Sequence, residues 1–281
     1  MQFDNLIPTT ITLPDGAAIN FVRGGRGPTL IFIHGVMGDY RSWEPQWQAF
    51  TAKYDCISLS CRFNFPNDNT MEAPNHSAEE NADDIVGLMD ILNIESAIIV
   101  GSSYGGFASL ALAVNHPTRV RALIAIEPPM MKYAEMFIDT AEVASEFRKT
   151  TIVPSREAFE RGEDDLGAML LTGGIQNASI GSIPQEQLQQ RRENIMAGRR
   201  VALSSDEFPL LAPEKLAAIQ VPVMIVTGAN TGPIFKAMMS GISRSMPKVP
   251  MVVIENAGHS APKDQPELFN RVAMDFLTKN L

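Results

Sequence analysis

Six short apolar segments, separated by stretches with helical patterning, constrain the fold of this chain more than any other feature of its sequence. Each segment is almost continuously apolar, which is typical of strands that are buried on both faces of a sheet. Alternation of such strands with helices predicts βαβ units and a mainly parallel sheet. The segments are Thr29–Ile33, Cys56–Ser60, Ala97–Val100, Ala122–Ile126, Val221–Val226 and Pro250–Ile254.

A hairpin and three further helices complete the predicted framework. The hairpin pairs Ile11–Leu13 with Ala18–Val22 around a Pro-Asp-Gly turn. We therefore expect an α/β fold whose twisted, mostly parallel sheet has about eight strands and flanking helices. The helices are expected from Ser77 to about Leu92, from Ser103 or Tyr104 to near His116, and from about Gln265 to Lys279.

The segment from residue 130 to residue 216 interrupts this alternation. It has three helical patterns and no strand pattern, which predicts a helical lid over the strand ends, while residues 1–129 and 217–281 form the core. Its apolar residues predict an apolar pocket, although any one of them could simply pack the lid onto the core. The helical patterns span roughly Tyr133–Phe147, Ser155–Leu171 and Pro184–Arg199, and the apolar residues are Met130, Met131, Met136, Phe137, Phe147, Phe159, Met169, Ile195 and Met196.

The charge and composition argue against several classes of partner. The 281 residues carry a net charge of -9 and lack a dense Lys/Arg run, so we expect no nucleic-acid binding. No apolar stretch is long enough for a membrane span, and the N-terminal residues lack a signal-peptide pattern. Cys56 and Cys61 should point to opposite faces, so no disulfide is expected and a cytoplasmic location fits.

A G-x-S-x-G motif, Gly101-Ser102-Ser103-Tyr104-Gly105, lies where an apolar strand meets a helix. A serine on such a sharp, strained turn needs small neighbours, and the helix that follows favours a developing negative charge. The motif therefore predicts Ser103 as a nucleophile rather than part of a Gly/Ser-rich turn without function.

His259 is the predicted general base. It follows the last apolar segment in a loop, from which it can reach across the strand ends to Ser103 Oγ. The backbone N–H groups of Val36 and Tyr104 are predicted to stabilise the oxyanion, because each follows a strand-end turn. His34 is expected to hold the first of these turns, and Gly35 permits close backbone approach.

These motifs resemble those of the α/β-hydrolase superfamily, in the expected order from about residue 10 to the end of the chain. Two departures stand out. Residues 60–67 differ from the usual G-H-G-x-S loop, and the loop after Val221–Val226 has no carboxylate, with Thr231 where the resemblance implies an aspartate. The matching pieces are His34–Gly38, Trp43 with Gln46 or Gln48, Gly101–Gly106, His116–Val120 and Asn256–Pro262.

The missing aspartate directs attention to Glu127, which follows the strand Ala122–Ile126 directly. A triad acid fixes the imidazole tautomer and stabilises the imidazolium, so a substitute should lie at a neighbouring strand end. The resemblance supports Glu127, since some haloalkane dehalogenases and the fungal zearalenone lactonase carry a glutamate there. Asp139 and Asp206 are weaker candidates, and Glu127 could instead bind backbone amides.

These residues predict a serine hydrolase of a carboxylic ester or lactone that acts through an acyl-enzyme. Two alternatives stay open: a C–C bond hydrolase of a diketone with the same triad, or a ligand-binding protein without catalysis. The substrate is expected to be a small, apolar ester or lactone contacting His34, Gly35, Met37 and Trp43. No metal-binding motif is present, so we expect no metal and no cofactor, in a monomer or homodimer.

Overall fold

Eight strands form one open sheet in the computed structural model, which describes residues 3–281. The strand order is β1-β2-β4-β3-β5-β6-β7-β8; β1 and β2 run antiparallel to their neighbours, and the remaining strands are parallel to one another. The α/β fold with a mostly parallel sheet of eight strands is therefore confirmed. The strands are β1 (Thr9–Thr12), β2 (Ala18–Gly25), β3 (Thr29–Ile33), β4 (Asp55–Leu59), β5 (Ala97–Ser102), β6 (Val120–Ile126), β7 (Val223–Gly228) and β8 (Met251–Ile254).

Helices cover both faces of the sheet. One face packs against α2, α3 and α11, and the other packs against α1 and α13. Along β3, Ile31 and Ile33 point to the first face while Leu30 and Phe32 point to the second, which explains why the strand is apolar throughout. These helices are α1 (Glu44–Thr51), α2 (Ala78–Ile91), α3 (Tyr104–Asn115), α11 (Pro233–Ser245), α12 (Ala261–Asp264) and α13 (Pro266–Asn280).

Residues 130–216, here called the helical insertion, contain helices and no strand in the part of the chain between β6 and β7, all of which the structure describes. Each of the three predicted helices is divided in two. Gly162, with a φ of 75°, separates the second pair, since a left-handed residue cannot continue a right-handed helix. The helices are α4 (Met131–Glu135), α5 (Ile138–Phe147), α6 (Val153–Glu160), α7 (Asp164–Gln176), α8 (Gln185–Glu193), α9 (Ile195–Ala202) and α10 (Pro213–Ala217).

The two cysteines are free and buried on opposite faces of the sheet, as their spacing predicts. Burial raises the pKa of both thiols, so neither is a reactive thiolate at neutral pH. Within residues 3–281, no helix is long and apolar enough to cross a membrane.

Candidate active site

Ser103 occupies a strained turn between β5 and α3. Its φ of 54° and ψ of -122° lie outside the regions that side chains normally allow. The turn packs so closely that a Cβ on Gly105 would lie 2.4 Å from the carbonyl oxygen of Ile33, and one on Gly101 would lie 2.2 Å from Ser109 Oγ. Glycine at both positions is therefore a steric requirement of the turn.

Ser103 lines an apolar cavity between the sheet and the helical insertion. Val36, Tyr104 and Phe235 line the same cavity from the core. The insertion contributes mostly apolar side chains, and its two polar lining residues are Ser155 and Glu207, the latter paired with Arg148. Those side chains include Phe147, Ile152, Leu171, Ile175, Val201 and Phe208.

His259 lies in the loop after β8, and its position is fixed on two sides. The imidazole stacks on the ring of Phe235, with the ring centres 3.9 Å apart. Its Nδ1 lies 2.7 Å from Oε2 of Glu127. Because Phe235 also lines the cavity with Ser103, the imidazole lies beside the space into which the serine faces.

Glu127 follows β6 directly, with a φ of 40°, and its side chain has no exposed surface. Besides the bond from His259, its carboxylate accepts hydrogen bonds from Thr227 Oγ1 at 2.6 Å and from the Gly228 N–H at 2.9 Å. Thr231 Oγ1 donates a fourth, at 2.8 Å to Oε2. The residue that stands where the resemblance implies an aspartate thus donates a hydrogen bond to the carboxylate that lies nearby.

These contacts control the ionisation of Glu127. Burial raises its pKa, but the hydrogen bond and charge of His259, together with the donors Thr227 and Gly228, outweigh burial and hold the pKa below its ordinary value of 4.5. An ionised carboxylate only accepts hydrogen bonds. His259 Nδ1 therefore carries the hydrogen, which leaves Nε2 free to accept a proton from a nucleophile.

Two backbone N–H groups beside Ser103 are free to bind an anion. The N–H of Val36 has no hydrogen-bond partner among residues 3–281. Tyr104 is the first residue of α3, where an N–H has no acceptor within the helix. Both residues line the cavity with Ser103.

His34 holds the loop before Val36 and does not line the cavity. Its Nε2 lies 3.0 Å from the N–H of Cys61 and accepts from it, so its Nδ1 carries the hydrogen and donates to the carbonyl oxygen of Gly35 at 2.7 Å. Burial lowers the pKa of His34, which keeps the ring neutral. With both nitrogens bonded to backbone, His34 has no group left for a substrate, which corrects its predicted role in substrate binding.

The predicted substrate contacts of Met37 and Trp43 are corrected as well. Trp43 stacks on Phe32 with ring centres 4.8 Å apart, inside the core on the α1 and α13 face of the sheet. Met37 is buried against Phe159 of the helical insertion and does not line the cavity. Gly35 does lie at the site, since a Cβ on it would be 3.2 Å from Ser103 Cβ.

The hydrogen bonds of residues 3–281 do not include one between Ser103 Oγ and His259. Catalytic hydrogen bonds are often long or poorly aligned before a substrate binds, and they tighten in the complex. The serine, the imidazole and the carboxylate nevertheless follow three different strands of one sheet edge, β5, β8 and β6.

Comparisons with known proteins show the family of the chain. A sequence profile described as the alpha/beta hydrolase fold matches residues 28–266, which is most of the chain. The chain belongs to the α/β-hydrolase family.

Relatives of this α/β hydrolase act on different bonds. It is 25% identical to a 2-(acetamidomethylene)succinate hydrolase of Mesorhizobium japonicum, over 92% of this chain and 91% of the relative. It is 24% identical to a carboxylesterase of Bacillus subtilis, over 89% of this chain and 80% of the relative. A solved structure of an N-acyl homoserine lactone degrading enzyme superposes with a TM-score of 0.74 at 22% identity, over 95% and 100% of the two chains. The family is thus a family of hydrolases, while the bond cleaved differs among its members.

Sequence reasoning missed three residues that shape the site of this hydrolase. Phe235 supports the imidazole, and Thr227 and Thr231 hold the carboxylate. The missing aspartate could have pointed to the two threonines. A carboxylate at the end of β6, in place of one after β7, needs hydrogen-bond donors from β7 and from the loop that follows it. Phe235 gave no signal, since it lies in an apolar helical pattern that reads as core.

The lowered pKa of Glu127 predicts a pH-dependent part of the stability. A carboxyl whose pKa is lowered on folding stabilises the fold fully above its unfolded pKa, and this contribution is lost as the pH falls below about 4.5. The difference in the free energy of unfolding between the wild type and Glu127→Gln should therefore stay constant from neutral pH to about pH 5 and shrink as the pH falls below about 4.5. Urea titrations from neutral pH to about pH 3 measure it, and a difference that does not shrink below about pH 4.5 would contradict the assignment of an ionised carboxylate.

Proposed function

We propose that this α/β hydrolase cleaves a carboxylic ester or lactone with an apolar acyl group, using Ser103 as nucleophile, His259 as base and Glu127 as acid. The observation that carries the proposal is the 2.7 Å contact between His259 Nδ1 and a buried carboxylate, beside the cavity into which Ser103 faces. That contact determines which imidazole nitrogen can take a proton.

In the first step, Ser103 Oγ attacks the ester carbonyl carbon while Nε2 of His259 takes the hydroxyl proton. The carbonyl π bond opens and leaves a negative oxygen on a tetrahedral centre. Glu127 stays ionised and stabilises the imidazolium through the hydrogen on Nδ1.

The negative oxygen is stabilised by the N–H groups of Val36 and Tyr104 and by the N-terminus of α3. Loss of one donor of this kind in a serine hydrolase costs about 10²–10³ in turnover. The strained backbone of Ser103 is what places its hydroxyl beside these donors, which gives the strain a use in the reaction.

The tetrahedral centre collapses when its C–O bond to the alcohol breaks, and His259 returns the proton to the leaving oxygen. Water then attacks the acyl carbonyl carbon and gives a proton to Nε2 of His259. The C–O bond to Ser103 Oγ breaks, His259 returns the proton to that oxygen, and the carboxylic acid leaves. In a lactone, the leaving alcohol stays joined to the acid, so the product is one hydroxy acid.

The apolar cavity indicates the class of substrate. Burying one CH₂ group contributes about 0.8 kcal/mol, which is roughly fourfold in kcat/KM while space remains. The helical insertion supplies most of this lining, so we propose that it acts as a lid that holds the apolar arm of the substrate. The similarity to a carboxylesterase and to a lactone-degrading enzyme supports the same class.

The site gives less support to the two alternatives, a C–C bond hydrolase and a binding protein without catalysis. A diketone substrate of a C–C hydrolase is anionic along its reaction, and no lysine or arginine is among the residues that line the cavity. A binding protein without catalysis is favoured only by the missing aspartate, and the contact of His259 Nδ1 with the Glu127 carboxylate supports Glu127 as its substitute.

Labelling with a fluorophosphonate, followed by a panel of p-nitrophenyl esters and lactones, tests the proposal. We expect a covalent adduct on Ser103, found by peptide mass spectrometry, and kcat/KM that rises with acyl length by about fourfold per CH₂ until the cavity is full. The acyl length at which kcat/KM stops rising is set by the space in the cavity.

Ser103→Ala is the control for the adduct, and Ser102→Ala is its matched neighbour, which should still be labelled. Folded protein that is not labelled would favour the binding protein. Labelling without turnover of any ester or lactone would point to C–C cleavage, to be checked with a diketone.

Glu127→Gln tests the identity of the acid. Removing the triad charge in a serine protease lowers turnover by about 10⁴ because the imidazole takes the wrong tautomer. We expect a loss of the same order in kcat, measured on the best ester of the panel, with circular dichroism unchanged.

Asp139→Asn and Asp206→Asn are the matched controls for this variant. Each of these carboxylates is more than half exposed and pairs with a surface cation, Arg244 or Lys132. Both variants should keep wild-type turnover. Near-wild-type activity of Glu127→Gln would remove Glu127 from the mechanism.

A further inference from the structure

The helical insertion is hydrogen-bonded to the loop that carries Val36. Asn194 lies between α8 and α9 and is completely buried. Its Nδ2 donates to Asp39 Oδ2 at 2.9 Å, at the end of the 34–39 loop. Its Oδ1 accepts from the N–H of Phe65 at 2.9 Å, in the neighbouring loop. One side chain of the insertion thus joins two loops of the core.

A second contact reaches the same loop one turn earlier in α8. Arg191 Nη1 donates to the carbonyl oxygen of Met37, at 2.5 Å. Burial lowers the pKa of Arg191 to about 10, so the side chain stays charged at neutral pH. The residue after Val36 is therefore held from the insertion as well.

The core side of the 34–39 loop is held by Asn64. Its Nδ2 donates to the carbonyl oxygens of Val36 and Gly38, at 2.8 and 2.7 Å. Asn64 precedes Phe65, whose N–H is bonded to Asn194. Val36 is therefore followed directly by two anchors: Asn64 of the core holds its carbonyl oxygen, and Arg191 of the insertion holds that of Met37.

Asparagine suits this position for a chemical reason. The site needs one donor facing the carboxylate of Asp39 and one acceptor facing an N–H, and a side-chain amide supplies both. Asn194 is also the residue before α9, yet it makes no side-chain hydrogen bond that caps the helix. Besides the two core loops, its Nδ2 donates to the carbonyl oxygen of Gln190 in α8 at 3.0 Å, rather than its Oδ1 accepting from the first turn of α9.

The ion pairs around Asp39 also depend on the packing of α8 against the core. Arg41 donates to both carboxylate oxygens of Asp39, at 2.8 and 2.7 Å, and also pairs with Glu193 of α8 at 2.6 Å. Movement of α8 away from the core would break the contact of Asp39 with Asn194 and the contact of Arg41 with Glu193 together.

We propose that Asn194 is a positioning residue: by docking the helical insertion on Asp39 and Phe65, it holds the 34–39 loop in the conformation that aims the Val36 N–H at the oxyanion. The role in catalysis rests on the proposed function. The insertion then does more than cover the substrate, because the donor geometry is complete only when α8 and α9 are docked.

The test compares Asn194→Ala with Arg192→Ala. Arg192 is a matched control, because it lies two residues before Asn194, near the end of α8, and its pairing within residues 3–281 is with Asp165 on the surface. We expect Asn194→Ala to lower kcat by about 10- to 100-fold with little change in KM, since misplacement of the donor affects the transition state more than the bound ester. The Gly38 N–H is bonded to the carbonyl oxygen of Gly35 at 2.9 Å, and its hydrogen exchange should become faster in Asn194→Ala and stay unchanged in Arg192→Ala.

The hydrogen-exchange measurement tests the role of Asn194 independently of the proposed function. If the wild type hydrolyses no ester and Ser103 takes no label, the proposed function fails, while the exchange rates still decide whether Asn194 holds the loop. Unchanged exchange of the Gly38 N–H would overturn the proposal, as would a loss confined to KM. If Asn194→Ala is recovered only in small amounts, Arg191→Met replaces it, because it removes the bond to Met37 and is expected to produce the same two changes.

Discussion

The carboxylate of Glu127 is a charge without contact with solvent, and the arrangement of the strand ends depends on how that charge is held. A buried ion that loses its partners destabilises a protein by several kcal/mol. Here four donors surround the carboxylate, from Thr227, Gly228, Thr231 and His259. Only the last of them can transfer a proton. The contacts that stabilise the charge therefore also fix the orientation and tautomer of the imidazole.

Much of this arrangement could be predicted from the sequence, because it depends on strand ends. The apolar segments located β3 without error, and parallel strands place their carboxyl ends at one edge of a sheet. Residues that follow such segments, as Ser103, Glu127 and His259 do, must then lie at the same edge. Ser103 and Glu127, which both have a positive φ, also lie close together at this edge. The Ser103 N–H donates to the carbonyl oxygen of Ile126, the residue before Glu127.

Side-chain direction in the loops could not be predicted. Met37 and Trp43 follow β3 closely, yet they pack against the insertion and the opposite face of the sheet, because local turns decide where each side chain points. The contact of Asn194 with Asp39 joins residues far apart in the chain through a break between two helices. A single sequence has no periodic pattern that marks such a contact. Its docking nonetheless decides the geometry of the loop that carries the proposed oxyanion donor.

The central claim is that Ser103, His259 and the two N–H groups meet at one reacting carbonyl. A crystal structure of the protein after reaction with a fluorophosphonate tests this most directly. We predict a phosphonate on Ser103 Oγ, with its phosphoryl oxygen about 2.7–3.1 Å from the backbone nitrogens of Val36 and Tyr104. We also predict Nε2 of His259 within hydrogen-bond distance of Ser103 Oγ or of another oxygen of the adduct. An adduct whose oxygen points away from both nitrogens, or an imidazole out of reach, would contradict this claim.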